Sequence, residues 1–169
     1  MPALAHVDAS RPAGSARRWY AAFATTRFAR FVSRHVNWKL DRVLLRLTGG
    51  RLATTLMIRA GLLETTGART GLRRTNAVIY WHDGDRVTIA ASQAGAPGNP
   101  HWFYNLVANP RVRFAGHSMR AEVVSDPDEV DRLWALGDRV FPAFRRFRDD
   151  AAADGRHVPL IQLLSDDGG

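Results

Sequence analysis

Residues 76–92 read NAVIYWHDGDRVTIAAS. Val, Ile, Tyr, Trp and Thr crowd its two halves and Asp83-Gly84 stands between them, so the stretch predicts two strands joined by a tight turn. A turn this short joins antiparallel neighbours, whereas parallel neighbours need a crossover of a dozen residues or more. The same pattern continues outward. RVRFAGHSMRAEVV, residues 111–124, predicts a second hairpin turning near Gly116-His117. TLMIRAGLLETTG, residues 55–67, predicts a strand before the first hairpin, and HVPLIQLL, residues 157–164, a closing one. Between the hairpins, NPHWFYNLVANP is bounded by Pro100 and Pro110 and suits a brief helix. Ser125 or Asp126 can cap a later helix, with Pro127 in its first turn and Asp128 and Glu129 just after, running towards Arg148. Strands joined by tight turns and flanked by helices predict an antiparallel barrel or open roll of the mainly β, α+β class, not a doubly wound parallel sheet.

A chain of 169 residues is one domain by length. The absence of cysteine excludes disulfides, a thiol nucleophile and thiolate metal sites. No apolar run approaches the roughly 20 residues that span a bilayer, and the first residues lack the apolar stretch of a secretory signal, so a cytoplasmic or peripheral protein is expected. Charge is uneven: up to Thr75 there are 14 Lys and Arg against 3 Asp and Glu, and the remainder is net negative. Lys39 is the only lysine; the arginines suit forked contact with phosphate or carboxylate. Residues 1–16 read as a mobile tail and 17–50 as a basic amphipathic helical segment ending at Gly49-Gly50. The barrel is expected over 51–165, with a polar tail at 166–169. Phe23, Phe28 and Phe31 beside Arg27, Arg30 and Arg34 suit either an anionic membrane surface or packing on the domain's own barrel.

Two loops carry the chemistry. In TTGARTGLRRTN, residues 65–76, Thr65, Thr66 and Thr70 offer hydroxyls, Gly67 and Gly71 permit close backbone approach, and Arg69, Arg73 and Arg74 supply forked cations. A phosphate or polycarboxylate tail needs this set, although a solvated arginine-rich hairpin loop would look the same. Neither GxxxxGK[ST] nor GxGxxG is present. In ASQAGAPGNPHWFYNLVANP, residues 91–110, the small Ala91, Ser92, Ala94, Gly95 and Ala96 let a flat ring approach the backbone, and Trp102, Phe103 and Tyr104 follow closely enough to stack on it. Phe103 is better read as core.

Other chemistry is poorly supported. The six histidines show no HExxH or close ligand pair, no GxSxG elbow exists, and no carboxylate pair stands out. No metal ligand and no catalytic side chain is assigned. A cleft for a ring and an anion, without reactive groups of its own, borrows its chemistry from a cofactor. A nucleic-acid partner is not expected, because the aromatics stand in apolar settings.

The run from LLETTGARTGLRRTN to ASQAGAPGNPHWFYNLVANP resembles the deazaflavin-dependent nitroreductase family of actinobacteria, whose motifs are close to LLTTTGRKSGxxRxxPL and ASxGGAxxxPxWxxNLxANP. The likeness covers about Leu44 to Phe114. It implies a split β-barrel of the FMN-binding kind that takes the deazaflavin coenzyme F-420, with FMN as the alternative. The coenzyme's charged tail would meet Arg69, Thr70, Gly71 and Arg74, with Arg73 and Asn76 close by. Its ring would lie by Ala91, Ser92, Gln93, Ala94, Gly95, His101 and Trp102. Ala68 and Gln93 stand where the family often has basic residues. Phe141, Phe144 and Phe147 match the family's pocket tyrosines and, having no hydroxyl, favour an apolar quinone or enone over a nitroimidazole. Hydride transfer to such an electrophile is the expected activity, binding without turnover its rival; a homodimer fits equally well.

Overall fold

The structure is a computed structural model that describes residues 6–7, 9, 14–26 and 59–166. The expected helix beyond residue 26, its Gly49-Gly50 end, the strand start at Thr55, most of the expected tail and the last three residues lie outside the described residues. The described elements are α1 (Ser15–Ala24), β1 (Ala60–Thr66), β2 (Arg73–Asp83), β3 (Arg86–Ala90), α2 (His101–Ala108), β4 (Arg111–Phe114), β5 (His117–Val123), α3 (Pro127–Val140), α4 (Ala143–Ala153) and β6 (Leu160–Ser165).

Six strands close into an antiparallel barrel in the order β1-β2-β3-β6-β5-β4. Period two decides what each strand buries. Leu63 pairs with Phe114, Tyr80 with Ile89, Ile89 with Ile161, and Leu163 with Ala121, so these side chains share the inner face. All are buried. Trp81, Thr88 and Gln162 take the other parity and are buried on the outer side, Trp81 against Trp134 of α3 and Phe144 of α4. Arg132 on α3 grips that side: its fork donates to both Asp83 oxygens at 2.9 and 2.6 Å, and Gln162 joins the group through Asp83. The Arg132 hydrogen bonds hold the Asp83 carboxyl below the usual carboxylate range.

The expected single late helix is two. Phe141 is extended at φ −142° because Pro142 follows it, and a residue before proline is pushed out of the helical region. The start is as read, with Asp126 accepting from the Glu129 amide at 2.8 Å and Pro127 in the first turn. α1 begins at Ser15; its Tyr20 packs on Phe141, whereas Trp19 and Phe23 stack on each other in solvent. No described helix is long and apolar enough to cross a membrane.

The N-terminal segment is clipped to the barrel through His82. The Val7 amide donates to His82 Nδ1 at 3.0 Å and the His82 amide donates to the Val7 carbonyl at 3.2 Å. An accepting Nδ1 carries no proton. Burial, and then the nearby His6, keep the His82 pKa below its usual value of about 6.5. The fold therefore favours the neutral ring. Its contribution is complete above about pH 6.5 and is lost as pH falls from there through the folded-state pKa. Melting should occur at lower temperature near pH 5 than near pH 7, and His82→Gln should flatten that difference in a calorimetric pH series.

Candidate functional site

The arginine-rich loop is the β1–β2 turn. The Gly67 amide donates to the Leu72 carbonyl at 2.9 Å and the Gly71 amide to Gly67 at 2.8 Å, while Thr70 Oγ1 accepts from the Leu72 amide at 3.4 Å. This compact turn leaves Arg69, Thr70, Gly71, Arg73 and Arg74 exposed. Strand parity then separates the arginines. Arg74 pairs with Thr65, and Asn76 with Leu63, on the inward-facing side; Arg73 pairs with Thr66 on the opposite side and lies 3.4 Å from Glu64. Among the described residues, Arg69 and Arg74 form no ion pair and Arg73 does. The three cations therefore do not act as one cluster.

The second loop leaves β3 as a strained turn. Gln93, Ala94 and Gly95 have φ of 47°, 51° and 72°, three left-handed residues in succession. Each non-glycine residue in that region costs about 1 to 2 kcal/mol. Gly95 has a second constraint, since an added Cβ would lie 3.0 Å from Asp150 Cβ and 3.3 Å from the Phe147 carbonyl on α4. The amides of Ser92 and Gln93 carry no hydrogen bond among the described residues. Successive backbone N–H groups at a reversal from right- to left-handed can donate together to an anion or a carbonyl oxygen, and Ser92 with Gln93 is such a reversal.

α2 joins the two loops. Asn105 Oδ1 accepts from the Ala68 amide at 3.0 Å while its Nδ2 donates to Thr65 Oγ1 at 3.1 Å, and Asn109 Nδ2 donates to the Thr66 carbonyl at 3.5 Å. The strained turn precedes α2 and the arginine loop is tied to its C-terminal half. His101 is exposed in its first turn; Trp102 is 7% exposed and seated in the core with Leu106. Phe103 is half-buried against the core, as read.

The three phenylalanines expected to line a substrate pocket are core residues. Phe141, Phe144 and Phe147 are 3, 2 and 5% exposed and meet one another edge to face, with Phe144 also against Trp81 and Trp134. Phe144 and Phe147, three apart, share one face of α4, Phe141 lies at the junction just before that helix, and α4 packs against the strained turn. In this structure they support the second loop rather than line an open surface.

Sequence reading missed two things. Asn105 and Asn109 were visible only as letters of a motif; their role as ties appears once α2 lies beside β1. Arg156 carried no signal at all. Its guanidinium donates to the Ala91, Ser92 and Ala96 carbonyls at 3.3, 3.2 and 2.8 Å and to Asn99 Oδ1 at 3.0 Å. Burial lowers its pKa from the usual arginine value.

The described residues define a closed six-stranded antiparallel barrel with helices outside it, a cationic turn tied to α2 and a strained small-residue turn after β3. Residues 38–164 match the family of F420H(2)-dependent quinone reductases. The chain is 33% identical over 146 residues to the F420H(2)-dependent quinone reductase Rv1261c of Mycobacterium tuberculosis, covering 80% of this chain and 96% of that protein. A second relative in that organism, named as the putative F420H(2)-dependent quinone reductase Rv3178, is 31% identical over 60% of this chain and 86% of its own length. Solved structures show the same fold. An F420-H2 dependent reductase, FDR-A, superposes with a TM-score of 0.54 at 23% identity, over 62% of this chain and 92% of its own. One described as a domain-swapped dimer superposes at 0.56 and 22%, over 74% and 93%. The chain belongs to the F420H(2)-dependent quinone reductase family.

Proposed function

We propose that this protein reduces apolar quinones with the reduced deazaflavin coenzyme F-420. The observation that carries the proposal is the Asn105 tie, which fixes the cationic β1–β2 turn to α2, the helix that follows the small-residue turn in the chain. A cationic turn and a small-residue turn joined in this way suit a coenzyme with an anionic tail and a flat ring.

The donor set fits such a group. Arg69 and Arg74 are exposed cations without an ion pair among the described residues, and Thr70 adds a hydroxyl beside Gly71, around which space is open. These residues would hold the phosphate and carboxylates of the tail. The Ser92 and Gln93 amides carry no hydrogen bond among the described residues; Ala91 and Gly95 are buried, Gly95 against α4, so a planar ring would approach at half-buried Ser92 and Ala94 and exposed Gln93. When bound, the coenzyme supplies a hydride, which with one proton from water takes a quinone to its hydroquinone. The chain's own contribution is orientation. Charged contacts far from the reacting atoms anchor the tail, and a turn that does not relax positions the ring end.

The test is direct. Purified protein mixed with reduced coenzyme and menadione should oxidise the coenzyme, followed by its absorbance, well above the protein-free rate. No excess rate with any of several quinones, or a protein purified yellow with FMN, would overturn the proposal.

A further inference from the structure

We infer that Arg156 is the positioning residue that keeps the turn at residues 92–96 in its coenzyme-ready form; this rests on the functional reading above. Three observations converge on it. First, the turn is strained, with Gln93 and Ala94 both left-handed, so something outside it must hold it there. Within the turn the Gly95 amide donates to Ser92 and the Ala96 amide to Gln93. Second, Arg156 reaches both flanks at once. One terminal nitrogen binds the Ala91 carbonyl and Asn99, and the other binds the carbonyls of Ser92 and Ala96, so a single planar fork spans the turn. Third, the fork is itself fixed. The Gly155 amide donates to Ala152 and the Arg156 amide to Ala151, the two closing bonds of a Schellman cap, with Gly155 at φ 69°. Arg156 thus leaves the rigid end of α4, the helix whose Phe147 and Asp150 pack against Gly95.

The chemistry of the pairing is unusual for a purely structural arginine. Every partner of the fork is a carbonyl oxygen, none a carboxylate, and Nε is buried without a partner. A half-buried cation whose hydrogen bonds all go to dipoles, with Asp154 acting on it only through space, is costly. What it gains is geometry: turning three carbonyls of the loop towards α4 turns the Ser92 and Gln93 amides the other way, where the ring end of the coenzyme would find them. A lysine ammonium is a point charge and cannot replace the fork.

The experiment compares wild type with Arg156→Ala and Arg156→Lys. Coenzyme affinity is read by fluorescence titration, and KM for reduced coenzyme and kcat by steady-state assay. Arg156→Ala should weaken coenzyme affinity roughly 10- to 100-fold, the loss expected for charge-assisted hydrogen bonds, with kcat at saturating coenzyme changing far less than KM. Ethylguanidinium at tens of millimolar should restore much of the affinity, a recovery that lost packing alone would not show. Wild-type affinity in Arg156→Ala, or no recovery with ethylguanidinium, overturns the inference. If the alanine variant does not fold, Arg156→Lys decides: full wild-type affinity there overturns it, and a loss supports it. If wild type itself binds no coenzyme, the functional reading fails but Arg156 is still tested by amide exchange in the coenzyme-free protein. Faster exchange at residues 92–96 in the variants supports the hold on the turn; unchanged exchange refutes it.

Discussion

Gly61→Ala should cost about 3 kcal/mol or more of folding stability, the largest single effect expected from so small a change. Gly61 lies on β1 with inward parity, where Phe114 of the neighbouring strand fills the barrel. A Cβ built there would stand 2.7 Å from Phe114 Cε2 and closer still to Cζ. Real side chains do not approach so closely, so a ring or a strand must move. Phe114 has no room to yield: it is 0% exposed, meets Tyr80 edge to face at 5.2 Å between centroids, and shares the interior with Leu63. The barrel is closed, so β1 cannot move outward without loosening its pairing with β2 or β4. Pairing the change with Phe114→Leu should recover part of the loss. Phe114→Leu alone is itself destabilising by the cavity it leaves, so the double variant should be more stable than the sum of the two singles predicts. Urea unfolding curves for the four proteins measure this coupling; additive losses would show that Gly61 is not held small by the ring.

Where local rules decide structure, the sequence was readable. Asp83-Gly84 between β-rich runs produced the hairpin, Asp126-Pro127 produced the start of α3, and the flanking prolines produced α2 at His101–Ala108. The second hairpin turns at Ala115-Gly116, one residue before the expected point, because both positions take positive φ. Pro142 carried a readable signal as well, since its missing amide and its effect on Phe141 divide the late helix. The site was legible only in part. The two loops could be read as anion- and ring-binding from residue chemistry, but not the parity that turns Arg73 towards Glu64 and Arg74 away from it. That separation depends on register, and a one-residue shift reverses it. The phenylalanines show the opposite failing. Matching Phe141, Phe144 and Phe147 to a family pocket overlooked that Phe144 and Phe147, three apart on an amphipathic helix, point first to the core, with Phe141 packed beside them at the junction before Pro142. Arg156 was out of reach for a different reason. Its partners lie 57 to 65 positions earlier in the chain, and no local pattern announces a contact of that span.

The parity of the arginines leads to the second large effect. Reversing charge at Arg69 and Arg74 together, Arg69→Glu with Arg74→Glu, should raise KM for the reduced coenzyme roughly 100-fold or more. Two charge-assisted contacts at about 1.5 kcal/mol each amount to about 3 kcal/mol, and repulsion between the new carboxylates and an anionic tail adds to that. Stability should hardly move, because both side chains are exposed and neither is in an ion pair among the described residues. Arg73→Ala is the contrast. Arg73 lies on the other side of β2 beside Glu64, so its removal should raise KM much less, although it is adjacent in sequence to Arg74. Salt gives an independent reading of the same contact. Wild-type affinity for the coenzyme should fall as ionic strength rises, since exposed charges are screened within about 10 Å at 0.1 M, and the doubly reversed variant should lose that dependence. Titrations at low and high salt, with melting curves as the control, separate the outcomes. Equal sensitivity to Arg73 and Arg74, or a double variant that still binds as wild type does, would mean that the tail is held somewhere other than the inward-facing rim of the β1–β2 turn.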